Sequence, residues 1–213
     1  GTREPTVAAF MDVFEASWYL RGLDSMLMDF YVNEEFAQAL LDKMTDFKVE
    51  LAKKWAQAGV DILTTGDDVG TQTGLMMSRD MYCKWLKPRL AKVIFAAKEV
   101  NPDILVFYHS DGNVEEIIPD LIEAGVEILN PIQPECMDPE RIITRYGAVA
   151  QLPPGLTAAS EEEQALLWQD ALEETMEAAF AAGDPGLSLL ARGWGGRDGR
   201  GLAQPVRQLY DYV

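Results

Sequence analysis

The chain's single histidine, His109, lies in the segment YHSDGNV at residues 108–114, with Asp111 two residues later. An imidazole and a carboxylate at this spacing can bind a metal ion, transfer protons or hold a loop together. The preceding residues 104–108 are apolar and rich in β-formers, as expected for a strand covered on both faces. Ligands of parallel α/β proteins bind at the carboxyl ends of strands, so this position favours function; a structural histidine is the alternative.

A second cluster of polar residues follows the apolar run 60–65, where Asp67 and Asp68 stand in the segment GDDVGTQ. Two neighbouring carboxyls can act as an acid–base pair when one raises the pKa of the other. They can equally cap the loop by accepting hydrogen bonds from backbone N–H groups. Neutral polar side chains that could orient a ligand lie at this and other predicted strand ends: Gln72, Asn130 and Gln133.

The elements that must position these residues follow a repeated strand–loop–helix pattern. Several helix boundaries are recognisable, with Asn33 and Asp138 as N-caps, a capping box at Ser160 and a kink at Pro88. The predicted strands are residues 7–10, 60–65, 104–108, 126–130, 148–150 and 187–190. Strands that alternate with helices pair in parallel, and each helix crosses over one face of the sheet.

Two architectures fit this pattern, a doubly wound open sheet and a (β/α)8 barrel. No glycine-rich phosphate-binding fingerprint follows any predicted strand, which removes the main reason to choose a dinucleotide-binding fold. The barrel is therefore favoured, although a closed barrel needs eight strands in about 250 residues. The predicted strands fall short of that number.

The composition is that of a single globular domain with an acidic surface. The 213 residues include 35 acidic and 18 basic side chains, which gives a formal net charge of −17. This surplus disfavours nucleic acids and anionic membranes, because both require cationic surfaces, and it favours solubility. No apolar run is as long as a membrane span, the start is not a signal peptide, and two cysteines make no disulfide framework. We therefore expect one domain over 1–213 in the cytoplasm.

Five segments share the pattern of one superfamily: WYLRG at 18–22, GDDVGTQ at 66–72, YHSDGN at 108–113, IPDLIEAGV at 118–126 and NPIQP at 130–134. They resemble the uroporphyrinogen decarboxylase superfamily, which includes the decarboxylases of haem synthesis and the corrinoid-dependent methyltransferases. The match is dense up to about Gly147 and loose beyond it. The resemblance implies an α/β fold of the (β/α)8 TIM-barrel family, here a partial barrel without the first strands. It assigns Trp18, Tyr19 and Arg21 to substrate binding.

The decarboxylases of this superfamily neutralise a polycarboxylate porphyrinogen with arginines that would precede this chain. Trp18 stands where they place a functional tyrosine, Asp67 stands where they have a serine, and Arg192 falls near their late histidine. Asp67 and Asp68 would repel an anionic substrate. Decarboxylation of uroporphyrinogen or of a smaller carboxylate is therefore the second hypothesis.

The methyltransferase branch activates a thiol with zinc, which is bound by a His-x-Cys pair and a later cysteine. His109 matches the histidine, and Asp111 falls at the cysteine position, which gives HSDG in place of HxCG. Cys136 is the remaining thiol that could reach this position. The resemblance therefore implies zinc at His109, Asp111 and Cys136, and the alternative is a hydrogen-bonded His–Asp pair.

The primary hypothesis is an enzyme that transfers a methyl group between a small substrate or thiol and a corrinoid on a partner protein. His109 and Asp111 would hold a metal or polarise the acceptor, and Asp67 and Asp68 would transfer protons or orient the substrate. The neutral polar residues at the strand ends would position the substrate, and a homodimer is expected. A third hypothesis is a truncated, inactive barrel that binds a partner through its open sheet edge.

Overall fold

The computed structural model describes residues 4–10, 12–152, 156–157, 159–183, 185–186 and 189. The chain divides into two compact units, Gly1–Leu156 and Thr157–Val213. The elements of the first unit are β1 (Val7–Ala9), α1 (Val13–Arg21), α2 (Leu23–Val32), α3 (Glu34–Gln57), β2 (Ile62–Gly66), α4 (Arg79–Trp85), α5 (Lys87–Val100), β3 (Leu105–His109), a 3₁₀ turn (Glu115–Ile117), α6 (Ile118–Ala124), β4 (Ile128–Asn130) and α7 (Pro139–Tyr146). The second unit contains α8 (Glu161–Ala181).

The first unit is built around a sheet of four parallel strands in the order β1-β2-β3-β4. The strand register aligns three layers of side chains on one face. These layers are Val7, Ile62 and Leu105; Ala9, Thr64, Phe107 and Ile128; and Gly66, His109 and Asn130. The third layer consists of the last residues of three strands, so the polar loops that follow them meet at one end of the sheet.

Helices cover the opposite face of the sheet. Leu63 of β2 is fully buried there, within a cluster that includes Ala52 and Ala56 of α3 and Ala96 and Ala97 of α5. These small side chains allow the two helices to approach each other and the sheet closely. Period-2 alternation along the strands therefore sends the apolar core to the helices and the histidine to the other face.

The face that carries the three layers is partly open to solvent. Val7 is 58% exposed and Leu105 is 42% exposed, although both are apolar. In a closed barrel this face is the interior, which layers of side chains fill. Among the described residues, β1 and β4 each pair on one side only.

Four of the predicted strands are present, and each is at the predicted place in the chain. The strand predicted at 148–150 is wrong, because these residues form a turn after α7. In that turn the backbone N–H of Ala150 donates to the carbonyl of Tyr146, and Gln151 has a φ of +55°. The strand predicted at 187–190 falls largely outside the described residues, and Arg192 lies outside them too.

The helix boundaries follow the predicted signals with two exceptions. Asp138 and Ser160 cap α7 and α8 through side-chain oxygens that accept backbone N–H bonds. Asn33 is in the N-cap position of α3, but its side chain makes no capping bond and interacts with Asp29 instead. A kink was predicted at Pro88, but the helix is broken there into α4 and α5. Pro88 lies in the first turn of α5, a position that suits proline. In the part of the chain that is described, no helix is long and apolar enough to cross a membrane.

Candidate active site at the strand carboxyl ends

His109 ends β3, and its ring is held by Asn130, which ends the neighbouring strand β4. The distance between His109 Nδ1 and Asn130 Oδ1 is 2.9 Å. An amide oxygen can only accept a hydrogen bond, so Nδ1 is the donor, and in the neutral ring Nε2 presents its lone pair. About half of the His109 side chain, 47%, is accessible to solvent. Nε2 of the imidazole therefore faces the open end of the sheet, where the neutral ring offers a lone pair.

Two carboxylates converge on this imidazole. Asp111 Oδ1 lies 3.8 Å from His109 Nε2, and Asp68 Oδ1 accepts a hydrogen bond of 2.9 Å from the backbone N–H of Asp111. One potential ligand atom from each of the three residues lies within 4.8 Å of the other two. The structure thus brings together three of the site residues predicted from the sequence, one from the loop after β2 and two from the end of β3 and the loop that follows it.

The loops that carry Asp68 and Asp111 touch at a pair of glycines. A Cβ atom on Gly70 would lie 2.5 Å from the backbone oxygen of Asp111, closer than real contacts allow. Gly112 has a φ of +80°, and a Cβ atom there would lie 2.7 Å from the backbone of Gly70. Side chains at either position would force the loops apart, so the glycines set the distance between the two carboxylates.

Gln133, on the loop after β4, fixes the conformation of the Asp111 loop. Its Oε1 accepts a hydrogen bond of 2.7 Å from the N–H of Gly112, and its Nε2 donates to Asp111 Oδ1 at 3.2 Å. Cys136 Sγ donates to the same Oε1 at 3.6 Å. The thiol therefore contacts Gln133, and Cys136 is not a member of the Asp68–His109–Asp111 group.

Asp67 has a different environment from its neighbour Asp68. Its buried carboxylate accepts hydrogen bonds from the N–H groups of Phe14, at 3.1 Å, and Glu15, at 2.7 Å, in the first turn of α1. A helix start leaves these N–H groups without partners, and its positive end favours a negative charge. Of the two roles predicted for Asp67, this geometry supports capping.

Asp12 and Lys48 form a buried ionisable cluster with Asp67, and the sequence analysis did not identify either of them. Asp12 is 1% and Lys48 is 5% exposed. Burial raises the pKa of Asp12 to about 6, and burial together with the charge of Asp12 raises the pKa of Asp67. Burial also lowers the pKa of Lys48, against the attraction of Asp12 and Asp67. Asp12 follows β1 as Asp67 follows β2, and this repeated position is the signal that could have identified it.

The substrate-binding residues predicted on α1 are engaged mainly with other protein groups. Trp18 stacks on Tyr19 with ring centroids 4.2 Å apart, and Arg21 Nε donates to Asp29 at 2.6 Å. Tyr19 is 61% exposed, so its surface is the most open of the three. These residues lie toward the end of α1 opposite to the Asp67 cap. Gln72 is exposed on the loop after β2.

The Asp68–His109–Asp111 group provides one nitrogen and two carboxylate oxygens as potential ligands. This set suits divalent cations that prefer oxygen and imidazole, whereas a zinc–thiolate site requires sulfur. Cys136 contacts Gln133, and Cys83, the other cysteine, donates to Asp120 at 3.4 Å. The zinc–thiolate arrangement implied at His109, Asp111 and Cys136 therefore does not fit these residues.

Comparisons with known proteins bear on this arrangement. A family model described as "Uroporphyrinogen decarboxylase (URO-D)" matches residues 6–140. The chain is 23% identical over 195 residues to "Methylcobamide:CoM methyltransferase MtbA" of Methanosarcina acetivorans. That alignment covers 92% of this chain and 54% of the relative, so the chain spans about half of the relative's length.

A solved structure, "methyltransferase from Methanosarcina mazei", shares the fold with a TM-score of 0.52 and 24% identity, over 61% of this chain and 36% of that one. Proteins of this fold are TIM barrels, which confirms the α/β partial barrel predicted from the sequence. The family model covers more than half of the chain and includes Asp68, His109 and Asp111. The resemblance inferred from the sequence motifs is therefore confirmed, and the chain belongs to the uroporphyrinogen decarboxylase (URO-D) family.

Proposed function

We propose that this chain is an enzyme that transfers a methyl group at the carboxyl ends of its strands. The observation that carries the proposal is the convergence of Asp68, His109 and Asp111 at the ends of β2 and β3, inside the region that matches the family. The similarity to a methylcobamide:CoM methyltransferase favours methyl transfer over other reactions. We propose a small-molecule substrate, a corrinoid on a partner protein, and a homodimer.

Methyl transfer requires an acceptor with a free lone pair. A methylcorrinoid would supply the methyl group as a cation equivalent and keep the bonding electron pair on its cobalt, so the acceptor must provide a lone pair and lose any proton that it carries. Nε2 of His109 and the carboxylates of Asp68 and Asp111 can accept that proton or bind a cation that promotes its loss. Asn130 and Gln133 act by orienting these groups, since they bind His109 and Asp111 directly.

The remaining residues have supporting roles in this proposal. Gln72 and Tyr19 are exposed and are proposed to contact the substrate, together with Trp18 and Arg21. Asp67 holds the first turn of α1 and therefore positions the helix that carries them.

The test is an assay with methylcobalamin and a panel of small thiols, alcohols and carboxylates, in which loss of the methyl group changes the corrinoid absorption spectrum. Wild type should demethylate the corrinoid with at least one acceptor, and His109→Ala should lose about 10²-fold or more in rate. Asp103→Asn is the matched control, because Asp103 is exposed at the opposite end of β3. Equal rates in wild type and His109→Ala would refute the proposal.

Decarboxylation is the alternative that the description of the family model itself favours. Two carboxylates at the site and a net charge of −17 oppose the binding of a polyanionic porphyrinogen. Incubation with uroporphyrinogen, followed by chromatography of the products, decides this alternative. Loss of substrate carboxylates would support it, and no turnover in either assay would favour a binding protein without catalytic activity.

A further inference from the structure

We propose that Asp68, His109 and Asp111 bind a divalent cation through oxygen and nitrogen atoms alone, and that this cation binds the methyl acceptor through an oxygen atom. The acceptor class rests on the proposed methyl transfer, whereas the cation site does not. A zinc–thiolate site is not proposed, because the three residues offer nitrogen and oxygen ligands and no sulfur.

The potential ligand atoms can reach one cation after small side-chain rotations. They lie within 4.8 Å of one another, whereas ligands on opposite sides of an ion are about 4.2 Å apart at ordinary bond lengths. The Asp111 side chain is 55% exposed, so its carboxylate can rotate without disturbing the core. Asp68 and Asp111 stand on loops whose glycine contact keeps them adjacent.

Neighbouring groups orient each of the three ligands, as they do in established metal sites. Asn130 fixes the protonated nitrogen of His109 and leaves Nε2 for a cation. Gln133 donates to Asp111 Oδ1, and the backbone of Asp111 donates to Asp68 Oδ1. Each carboxylate therefore has one oxygen held by the protein, and in Asp111 this Oδ1 is also the atom that faces His109 Nε2, at 3.8 Å.

Sulfur is not part of this group. Cys136 Sγ contacts the amide oxygen of Gln133, and that amide also binds the Asp111 carboxylate. Cys136 therefore supports the loop on which the ligands stand. This arrangement explains how a cysteine can lie near the site without being a ligand.

The charge and exposure of the group indicate what else would bind to the cation. The two carboxylates carry a formal charge of −2, which a divalent cation neutralises. Three protein ligands leave further coordination positions, and His109 and Asp111 are open to solvent. Because oxygen ligands select cations that prefer oxygen, a hydroxyl or carboxylate acceptor suits this site better than a thiol.

The cation is tested on metal-free protein with Mn²⁺, whose free ion is followed by electron paramagnetic resonance, and with Co²⁺, whose absorption reports on sulfur ligands. Wild type should bind one Mn²⁺, and Asp68→Asn and His109→Ala should each weaken binding by about tenfold or more. Asp68→Asn can still accept the Asp111 N–H bond, so it separates charge from folding. Cys136→Ser should leave the affinity unchanged, and Asp103→Asn controls for ions held by the acidic surface.

The Co²⁺ spectra decide the ligand type and the acceptor class. The protein should lack a sulfur-to-cobalt charge-transfer band, and acetate or ethanol should perturb the spectrum at concentrations where ethanethiol does not. A charge-transfer band that disappears in Cys136→Ser would overturn the proposal, as would Mn²⁺ binding that is equal in wild type and Asp68→Asn. If Mn²⁺ binds as expected but no methyl transfer occurs, the cation site stands and the proposed function fails.

Discussion

The buried Asp12 carboxyl should make stability depend on pH in a definite direction. Its pKa is about 6 in the folded chain, compared with an ordinary value of 3.8, so the folded state binds more protons between these values. The Asp12 contribution to the free energy of unfolding therefore decreases as pH rises through this window. As pH rises from 4 to 7, the free energy of unfolding of Asp12→Asn should therefore increase by about 2 kcal/mol relative to that of wild type. Urea denaturation at both pH values measures this difference, with Asp103→Asn as control; a difference that is independent of pH would contradict the prediction.

The residues that sequence reasoning could find are those that directly follow a recognisable strand. His109, Asp111 and Asp68 were found in this way, and the structure brings them together. Asp12 and Lys48 were missed for different physical reasons. Asp12 follows a strand of only three residues, and Lys48 lies on a helix where a lysine normally faces solvent. Burial of that lysine depends on tertiary packing, which its local sequence does not reveal.

The contact between the β2–α4 and β3–α6 loops should be sensitive to a single methyl group. Gly70→Ala should separate Asp68 from Asp111, because the new Cβ would lie 2.5 Å from the Asp111 carbonyl oxygen. We expect a loss of about 1–3 kcal/mol in the free energy of unfolding and weaker Mn²⁺ binding. Gly74→Ala is the matched control on the same loop, since a Cβ there meets no atom within 4 Å. Equal stability and affinity in the two variants would show that the close approach does not control the site.

Substitutions of Asp67 test whether this carboxylate, which lies beside the site, has a structural or a catalytic role. Asp67→Ala removes the acceptor for two N–H groups at the start of α1 and should cost about 1–3 kcal/mol. Asp67→Asn keeps an acceptor oxygen, so it should lose less stability and retain most of the methyl-transfer rate. Thermal denaturation and the corrinoid assay measure the two effects. A stable but inactive Asp67→Asn protein would instead establish an acid–base role.

Element boundaries were predictable where one residue imposes the geometry. Asp138 and Ser160 mark helix starts because capping oxygens act locally, whereas Pro88 was expected to kink one helix and instead lies in the first turn of α5. The strand predicted at 148–150 failed because Val149 is the one strong β-former there, and a hydrogen bond from Ala150 to the end of α7 determines the turn. Hydrogen bonding to α7 therefore outweighs the strand preference of a single valine.

The described part of the chain matches the family model over residues 6–140 and forms four parallel strands of a barrel. Strand and helix periodicity was sufficient to predict parallel pairing, and the absence of a phosphate fingerprint was sufficient to favour the barrel. Periodicity cannot show which face of the sheet remains open, because that depends on strands in other parts of a barrel. The homodimer therefore stays a prediction, and light scattering over a range of concentrations can test it.

The open face of the sheet should behave as an exposed apolar surface in solution. Val7 and Leu105 occupy the same layer and are 58% and 42% exposed, with Ile62 paired between them. Such a contiguous apolar surface should bind the fluorescent dye ANS, and Val7→Thr with Leu105→Thr should lower that fluorescence several-fold. Leu166→Thr with Leu167→Thr is the control, because those leucines lie on α8 and, at 63% each, are more exposed than Val7 and Leu105. The same loss of fluorescence in both double variants would mean that the dye does not recognise the sheet face. A loss confined to the Val7 and Leu105 double variant would identify the sheet face as the dye-binding surface, and a closed barrel would bury that face.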